Sequence, residues 1–458
     1  SLQLTTRWGW SRYHSFTDRL KFQPDENVAV ETFDSDRNSR YFEGEVGVDW
    51  TQPIGSHYKW RVIALASGQH WTVVSPSVIE DHVNESDRKS DYRYERNKFE
   101  GIFRTLFSDV STSKFKPEFG VEIAYNRADF DIDLVSISEG VRTPVVLPAS
   151  DVLVEELRGE AFANAIWQAT SALSFEAGMA LEVSNITTSG NAGTSQTLSY
   201  LKPSAAIVYS FSDKLQTRLS YSRTVGQLDF SDFAASADFE SDREFGGNPA
   251  LRPHRSSKLS ATTKWSFGKG GALQLDVYHE RRNGVLEQVI LPSGAFGIGA
   301  AGNAKINGID VSLTAPIERL IPGGQVEVIA KTVSSKFDDP VTGIRRNLTN
   351  EAKPELEFKF RQDMKRYPVS WGGSFKINTD ETNYYIDEIS TFTDRDRFEG
   401  FVETTIASGL KVRFDFVRAG SYLDRQFFDP TRAGSFSGRE VHDRKAVNAF
   451  TLTVSGQF

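Results

Sequence analysis

Apolar residues recur at every second position from one end of this chain to the other, and no stretch carries them at helical spacing. Leu2, Leu4, Trp8 and Trp10 open the pattern, and Phe42, Val46, Val48 and Trp50 form the next row. Phe115, Phe119, Val121, Ile123 and Tyr125 continue it, as do Leu173, Phe175, Met179, Leu181 and Val183. Leu273, Leu275 and Val277, then Ile309, Val311 and Leu313, then Leu356, Phe358 and Phe360, then Leu410, Val412, Phe414 and Phe416 follow. A period of two is that of a β-strand with two unlike faces. The runs exceed the ~5–6 residues of ordinary strands and reach the ~9–11 that a tilted strand needs to cross a bilayer.

Composition narrows the class. The chain has 458 residues, 39% hydrophobic, with 33 Phe, 14 Tyr and 8 Trp but no cysteine. Mean hydropathy is −0.40, and no apolar run approaches the roughly 18–20 residues of a membrane helix. A polar average with abundant aromatics suits a transmembrane barrel, in which alternate residues face water. Without cysteine there is no disulfide framework and no thiolate metal site. The net charge of −8, with both signs interspersed, indicates no nucleic-acid partner. A soluble β-sandwich also alternates, but it has no reason to sort its connections by length.

Here the connections are sorted. Short ones are expected at Gln52–His57, Ser108–Ser113, Ala169–Ser171, Ser212–Lys214, Gly268–Gly271, Pro316–Gly324, Met364–Tyr367 and Ala407–Gly409. Long polar loops are expected between them, at Thr17–Arg40, Ser75–Asp91, Asp131–Asp151, Ser231–Arg252, Phe337–Asn350, Asp380–Thr391 and Leu423–Lys445. This is the plan of an all-β, transmembrane antiparallel up-and-down β-barrel filling residues 1–458, with about 18 strands. Trp8, Trp10, Trp50, Trp60, Trp265, Trp371, Tyr13, Tyr41 and Tyr58 are expected in interfacial girdles. The last strand carries Phe450, Leu452, Val454 and Phe458 on one face, the aromatic-ended pattern that outer-membrane barrels present to the barrel-assembly machinery.

Gly247-Asn248-Pro249-Ala250-Leu251-Arg252-Pro253, following Leu219-Ser-Tyr-Ser-Arg-Thr, resembles the Gly-Asn-Pro-x-Leu-x-Pro signature of TonB-dependent outer-membrane receptors. His254 stands where that family usually has Glu. Asn303-Ala304-Lys305-Ile306-Asn307-Gly308-Ile309-Asp310 is similar to a second signature of the same barrels, with Asn303 closer to Ala304 than in the usual pattern. With terminal Phe458, the resemblance runs from Leu219 to the end of the chain. It implies a barrel of about 22 strands closed by an N-terminal plug, so roughly four strands, the plug and a TonB box are expected before Ser1. It also implies active transport across the bacterial outer membrane of a scarce nutrient, of siderophore, cobalamin, saccharide or peptide class, powered by the TonB energy-transducing complex. Outer-membrane lipid and lipopolysaccharide are the expected surroundings. A plugless pore, a structural barrel anchoring a surface assembly, a barrel split between two chains and a soluble secreted β-protein are the rivals.

No motif points to an enzyme, a cofactor or a metal. Gly297–Gly302 matches GxGxxG but lacks the strand–helix setting and the acidic residue that hold a dinucleotide, and reads as a loop before a strand. Ser111-Thr-Ser-Lys114 falls in a turn without partner motifs. Asp34, Asp36 and Asn38 echo a calcium loop but have Ser39 where glycine is required. The seven histidines never pair at ligand spacing. What remains is a set of lumen candidates on the polar faces: Arg218, Arg223, Asp276, Glu280, Asp310, Glu355, Glu357, Lys359, Arg361, Lys411, Arg413 and Asp415. In a pore, residues of this kind tune selectivity, or they pair into ladders that hold strands together. Loop aromatics such as Phe230, Phe233, Tyr384 and Phe427 are candidates for a vestibule.

Overall fold

The computed structural model describes residues 1–22, 29–147, 149–191, 193–238, 243–352, 354–377, 379–406 and 409–456. Among them, eighteen strands pair antiparallel, each with the next. They are β1 (Leu2–Phe22), β2 (Ala29–Ile54), β3 (Tyr58–Asp81), β4 (Ser86–Asp109), β5 (Phe115–Ser138), β6 (Asp151–Gln168), β7 (Leu173–Gly190), β8 (Thr194–Ser212) and β9 (Leu215–Val225). They continue as β10 (Arg255–Phe267), β11 (Gly271–Ile290), β12 (Phe296–Pro316), β13 (Gly324–Asp338), β14 (Glu355–Asp363), β15 (Val369–Lys376), β16 (Arg397–Ile406), β17 (Leu410–Asp429) and β18 (Ser435–Ser455). Two short strands, Thr379–Tyr384 and Glu388–Asp394, prolong β15 and β16 into an outer hairpin. No helix among the described residues is long and apolar enough to cross a membrane. Among the described residues β1 and β18 do not pair with each other, although Arg19 Nη1 comes within 3.9 Å of Glu440 Oε1 near their outer ends.

Seven of the eight short connections fall on one rim, as expected; Ala407 and Ser408 of the eighth lie outside the described residues. The long polar stretches are a different matter, because most are strand. β2 starts at Ala29, so the calcium-like residues Asp34 to Asn38 lie in a continuous strand. Gly297–Gly302 lies in β12, paired with the end of β11. The strands outlast the bilayer because their backbones stay paired and their polar side chains bond across the ladder: Ser35 with Ser75 at 3.0 Å, Ser77 with Ser90 at 2.7 Å. Asp81 closes the β3–β4 hairpin by accepting the Val83 and Asn84 N–H groups.

The apolar face changes sides along a strand. In β5, Phe119, Val121 and Ile123 point outward and are half exposed, whereas further out Ala128, Phe130, Ile132 and Leu134 are buried. These have opposite parity, so they point inward. β6 and β7 do the same: Leu157 and Trp167, and Met179, Leu181 and Val183, face out, while Val152, Val154 and Ile186 face in. Lipid surrounds the lower part of the wall, and above the bilayer the outside meets water while the inside meets packed loops. The inversion therefore marks the outer edge of the hydrocarbon. At the other edge, Trp60, Phe107 and Phe119 stand in register, with ring centroids 5.7 Å apart at each step, and Trp167 stacks on Phe175. Tyr13 and Tyr41 have the inward parity of their strands and so do not belong to a girdle; Tyr41 donates to Glu43.

The inward-facing row forms the main core with Leu147, Ala149, Phe233, Ala234, Ala235 and Leu251 from the loops. Two substitutions separate the regimes. Phe414→Arg places a charge on the lipid face and should cost roughly 2–4 kcal/mol. Phe130→Ala, above the bilayer, should cost about 3–5 kcal/mol by opening a cavity in the loop core. Urea unfolding in detergent measures both, and wild-type stability of Phe414→Arg would contradict the lipid-facing assignment.

Candidate functional site

The lumen between the two rims is lined by charged side chains arranged as ladders. Arg218 pairs with Glu176 on β7. Asp276 accepts from Gln274 at 2.7 Å and from Thr262, and Glu280 lies 2.8 Å from Arg282. Asp310 stands in register between Asp276 and Lys331. Glu355 is reached by Lys331 at 3.9 Å and Lys376 at 3.7 Å. Lys359 bridges Glu357 at 3.3 Å and Glu327 at 3.5 Å. Arg361, Lys411 and Arg413 converge on Glu403, at 3.5, 2.8 and 3.3 Å, and Arg413 also holds Asp415 at 2.8 Å. Arg223 is the exception. It shares the parity of Leu219 and Tyr221 and stands on the outward face.

Glu403 is the hub that sequence reasoning missed, although the alternation of Phe398, Val402 and Ile406 against Glu399 and Glu403 signals it. Also missed were Lys202, which holds Glu160 and, at 2.7 Å, Glu182, and Glu122, which receives Arg104 and Arg158 at 3.4 Å each. A lysine or arginine set against a carboxylate on a neighbouring strand stabilises the pair of strands.

Residues 226–238 and 243–254, the described parts of the segment closed at its neck by a 2.8 Å bond from the Gly226 N–H to the His254 carbonyl, fold into the mouth. A single 3₁₀ turn, Phe230–Phe233, is capped by Asp229, whose carboxylate accepts the Ser231 N–H at 2.9 Å. Phe233 is fully buried against the inner wall. The signature residues hold the opposite side. A side chain at Gly247 would meet the Phe233 carbonyl oxygen at 2.1 Å, so only glycine fits there. The Asn248 side chain donates to the Ile298 carbonyl on β12 at 2.8 Å and accepts from Ala250 N–H, while its backbone N–H bonds Asp232. Leu251 is buried and its carbonyl accepts from Gln196 on β8 at 2.7 Å. Pro249 is half-buried, and Pro253 lines a cavity of ≈ 440 Å³ beneath the loop, shared with Gln69, Lys98, Glu156 and Tyr200 of the wall. The segment is thus a strut from the β5–β8 side of the mouth to β12.

In the second signature, Gly308 leaves room for the Tyr278 ring, which a Cβ would meet at 2.1 Å, and Asn303 accepts the N–H of Gly284 at the bulge of β11. Phe450, Leu452 and Val454 face outward opposite Phe416, Phe414 and Val412; Phe458 lies outside the described residues.

Two carboxylates of the strut have unlike surroundings. Burial and the neighbouring Asp229 push Asp232 up to about 6, against the pull of Lys98. Asp229 stands at the surface; against partial desolvation, bonds from Ser231 and the charge of Lys98, 3.6 Å away, hold it below the usual carboxylate range. Across the mouth, Asp339 is buried yet held low by Arg346, the Thr342 N–H and Arg432. Arg346 also pairs with Glu287 and lies 4.1 Å from the Tyr384 ring centroid. Phe337, Tyr384 and Arg432 therefore pack loops together.

Comparison with known proteins agrees with this architecture. Residues 2–396 match the family model described as TonB dependent receptor-like, beta-barrel. No curated protein matches the sequence. Among solved structures, the siderophore receptor PiuA from Acinetobacter baumannii is 9% identical with a TM-score of 0.56, covering 99% of this chain and 81% of its own. The copper transporter OprC is 10% identical, TM-score 0.59, covering 100% and 80%. The unliganded ferric citrate transporter FecA is 11% identical, TM-score 0.61, covering 98% and 70%. At such identities these likenesses speak for the fold alone. The family match, spanning most of the chain, together with the inverted faces of the wall, makes this protein a member of the TonB-dependent receptors, with its β-barrel in the bacterial outer membrane.

Proposed function

We propose that this barrel is the wall of an active importer that takes a scarce nutrient at the outer mouth and releases it inward when TonB acts on a plug carried by polypeptide outside residues 1–458. The ligand is of siderophore, cobalamin, saccharide or peptide class. The observation that carries the reading is the strut, which narrows the mouth and covers a cavity of mixed lining, with Lys98, Glu156, Arg158 and Glu182 beside Leu198, Tyr200 and Phe230. A passive pore gains nothing from such an obstruction. A transporter gains two states of unlike affinity, which is what directional uptake needs. The outward row Phe450, Leu452 and Val454, with Phe458, serves the barrel-assembly machinery in this reading.

In planar bilayers, the receptor carrying its plug should be nearly silent. Steady conductance by the plugged form would favour a passive pore instead.

Asp232 makes the strut sensitive to pH. Its carboxyl titrates near 6 when docked and near 4 when free. The docked state therefore binds more protons between pH 4 and 6, and docking weakens as pH rises through that window. Proteolytic cleavage within Gly226–His254 should be several-fold faster at pH 7 than at pH 5, short of the about hundredfold ceiling set by two pH units. Asp232→Asn should flatten the profile at the slow rate; an unchanged profile in that variant would assign the dependence elsewhere.

A further inference from the structure

One row of cations breaks the pairing rule of this molecule. Arg223 on β9 stands opposite Ser257 on β10, Ser257 opposite Arg281 on β11, Arg281 opposite Lys305 on β12, and Lys305 opposite Lys336 on β13. The five residues form one continuous cross-strand row. All have the outward parity of their strands: Lys305 is exposed between buried Ala304 and Ile306, and Lys336 between buried Ser335 and Phe337. Among the described residues, none of the four cations makes an ion pair. Arg281, Lys305 and Lys336 are like charges directly opposite one another on adjacent strands, an arrangement that destabilises a sheet left to itself.

The surroundings offer no relief. His279, Asn307 and Ser334 lie on the bilayer side of the row. On the other side, Asp338 is already engaged by Arg345 at 3.0 Å.

The height of the row identifies what neutralises it. On β11, β12 and β13 the outward face is apolar up to Val277, Ile309 and Ala330, and the inward face becomes apolar from Val285, Ile306 and Phe337. Arg223 is two residues beyond Tyr221, and Lys305 is four beyond Ile309, about 7 and 13 Å along the strand. The row therefore leaves the hydrocarbon and enters the headgroup layer of the outer leaflet, climbing diagonally because the strands tilt. The geometry points to a docking site for a phosphorylated glycolipid of that leaflet, its phosphates bridging Arg281, Lys305 and Lys336, its acyl chains lying on the Leu259–Val277–Ile309 face below. Arginine and lysine on phosphate form charge-assisted bonds, and an apolar face directly beneath the cations is what a lipid needs and a free anion does not.

The test uses the full chain, refolded in non-ionic detergent, with binding of bisphosphorylated lipid A read by native mass spectrometry. Wild type and the charge-retaining triple variant Arg281→Lys/Lys305→Arg/Lys336→Arg should bind alike. Arg281→Gln/Lys305→Gln/Lys336→Gln should bind about a hundredfold more weakly, roughly fivefold per cation. Should that variant fail to form a heat-modifiable barrel, each single substitution to Gln should still show its fivefold loss. Dephosphorylated lipid A should bind as weakly to wild type as bisphosphorylated lipid A does to the neutral triple variant, and inorganic phosphate should not compete. Wild-type affinity in the neutralised variants, equal binding of the dephosphorylated lipid, or competition by inorganic phosphate would each overturn the assignment.

Discussion

Everything in this molecule follows from the need to pair backbone N–H and carbonyl groups where no water can reach them. In hydrocarbon only a helix or a closed sheet meets that need, and the described residues hold no apolar helix long enough to offer one. Its strands therefore pair each with the next, and the pairing fixes which side chains face lipid. Because the side-chain period is two, register and polarity are one decision: a slip of one residue would put Glu403 and Arg413 into the membrane and Phe414 into the lumen.

The same ladder carries the chain well past the membrane. Once backbone pairing has set the direction of each strand, lipid is no longer required to keep it straight, and the apolar face is free to change sides. β5 shows this within one unbroken strand: Ile123 faces lipid, and Phe130 lies under the strut with no exposed surface. The inversion lets one wall serve two solvents. It also gives the mouth a hydrophobic core into which Phe233 and Leu251 are pinned, so the strut is an extension of the wall rather than a loose flap.

Electrostatics divides along the same boundary. In the water-filled interior, cations and carboxylates meet across neighbouring strands, as around Glu403 and Lys202, and each pair both cancels charge and ties the ladder. At the mouth, Asp339 between Arg346 and Arg432 performs the same service for loops, with Tyr384 as a shared aromatic platform. Asp232 differs because, among the described residues, no cation bonds to it. Lys98 is nearer to Asp229, and burial then decides the protonation of the remaining carboxylate.

The alternation of Leu2 to Val454, the eight tight turns and the Gly-Asn-Pro signature were enough to read a barrel wall and its family from the residues alone, because a two-residue period in a lipid solvent admits few folds. The ladder partners were only half legible: Glu355, Lys359 and Arg413 stand out on their own strands, but the convergence on Glu403 depends on register between strands. The polar stretches at Thr17–Arg40 and Leu423–Lys445 looked like loops because polar alternation without an apolar face carries no strand signal, and Arg223 looked like lumen because a charge near the end of an apolar row is ambiguous until its height is known. The sequence by itself determined that this chain is a two-faced wall with aromatic edges. The tertiary structure alone decided where that wall leaves the lipid, which carboxylates share a cation and where the strut lies, since each of these depends on residues far apart in the chain meeting at one height.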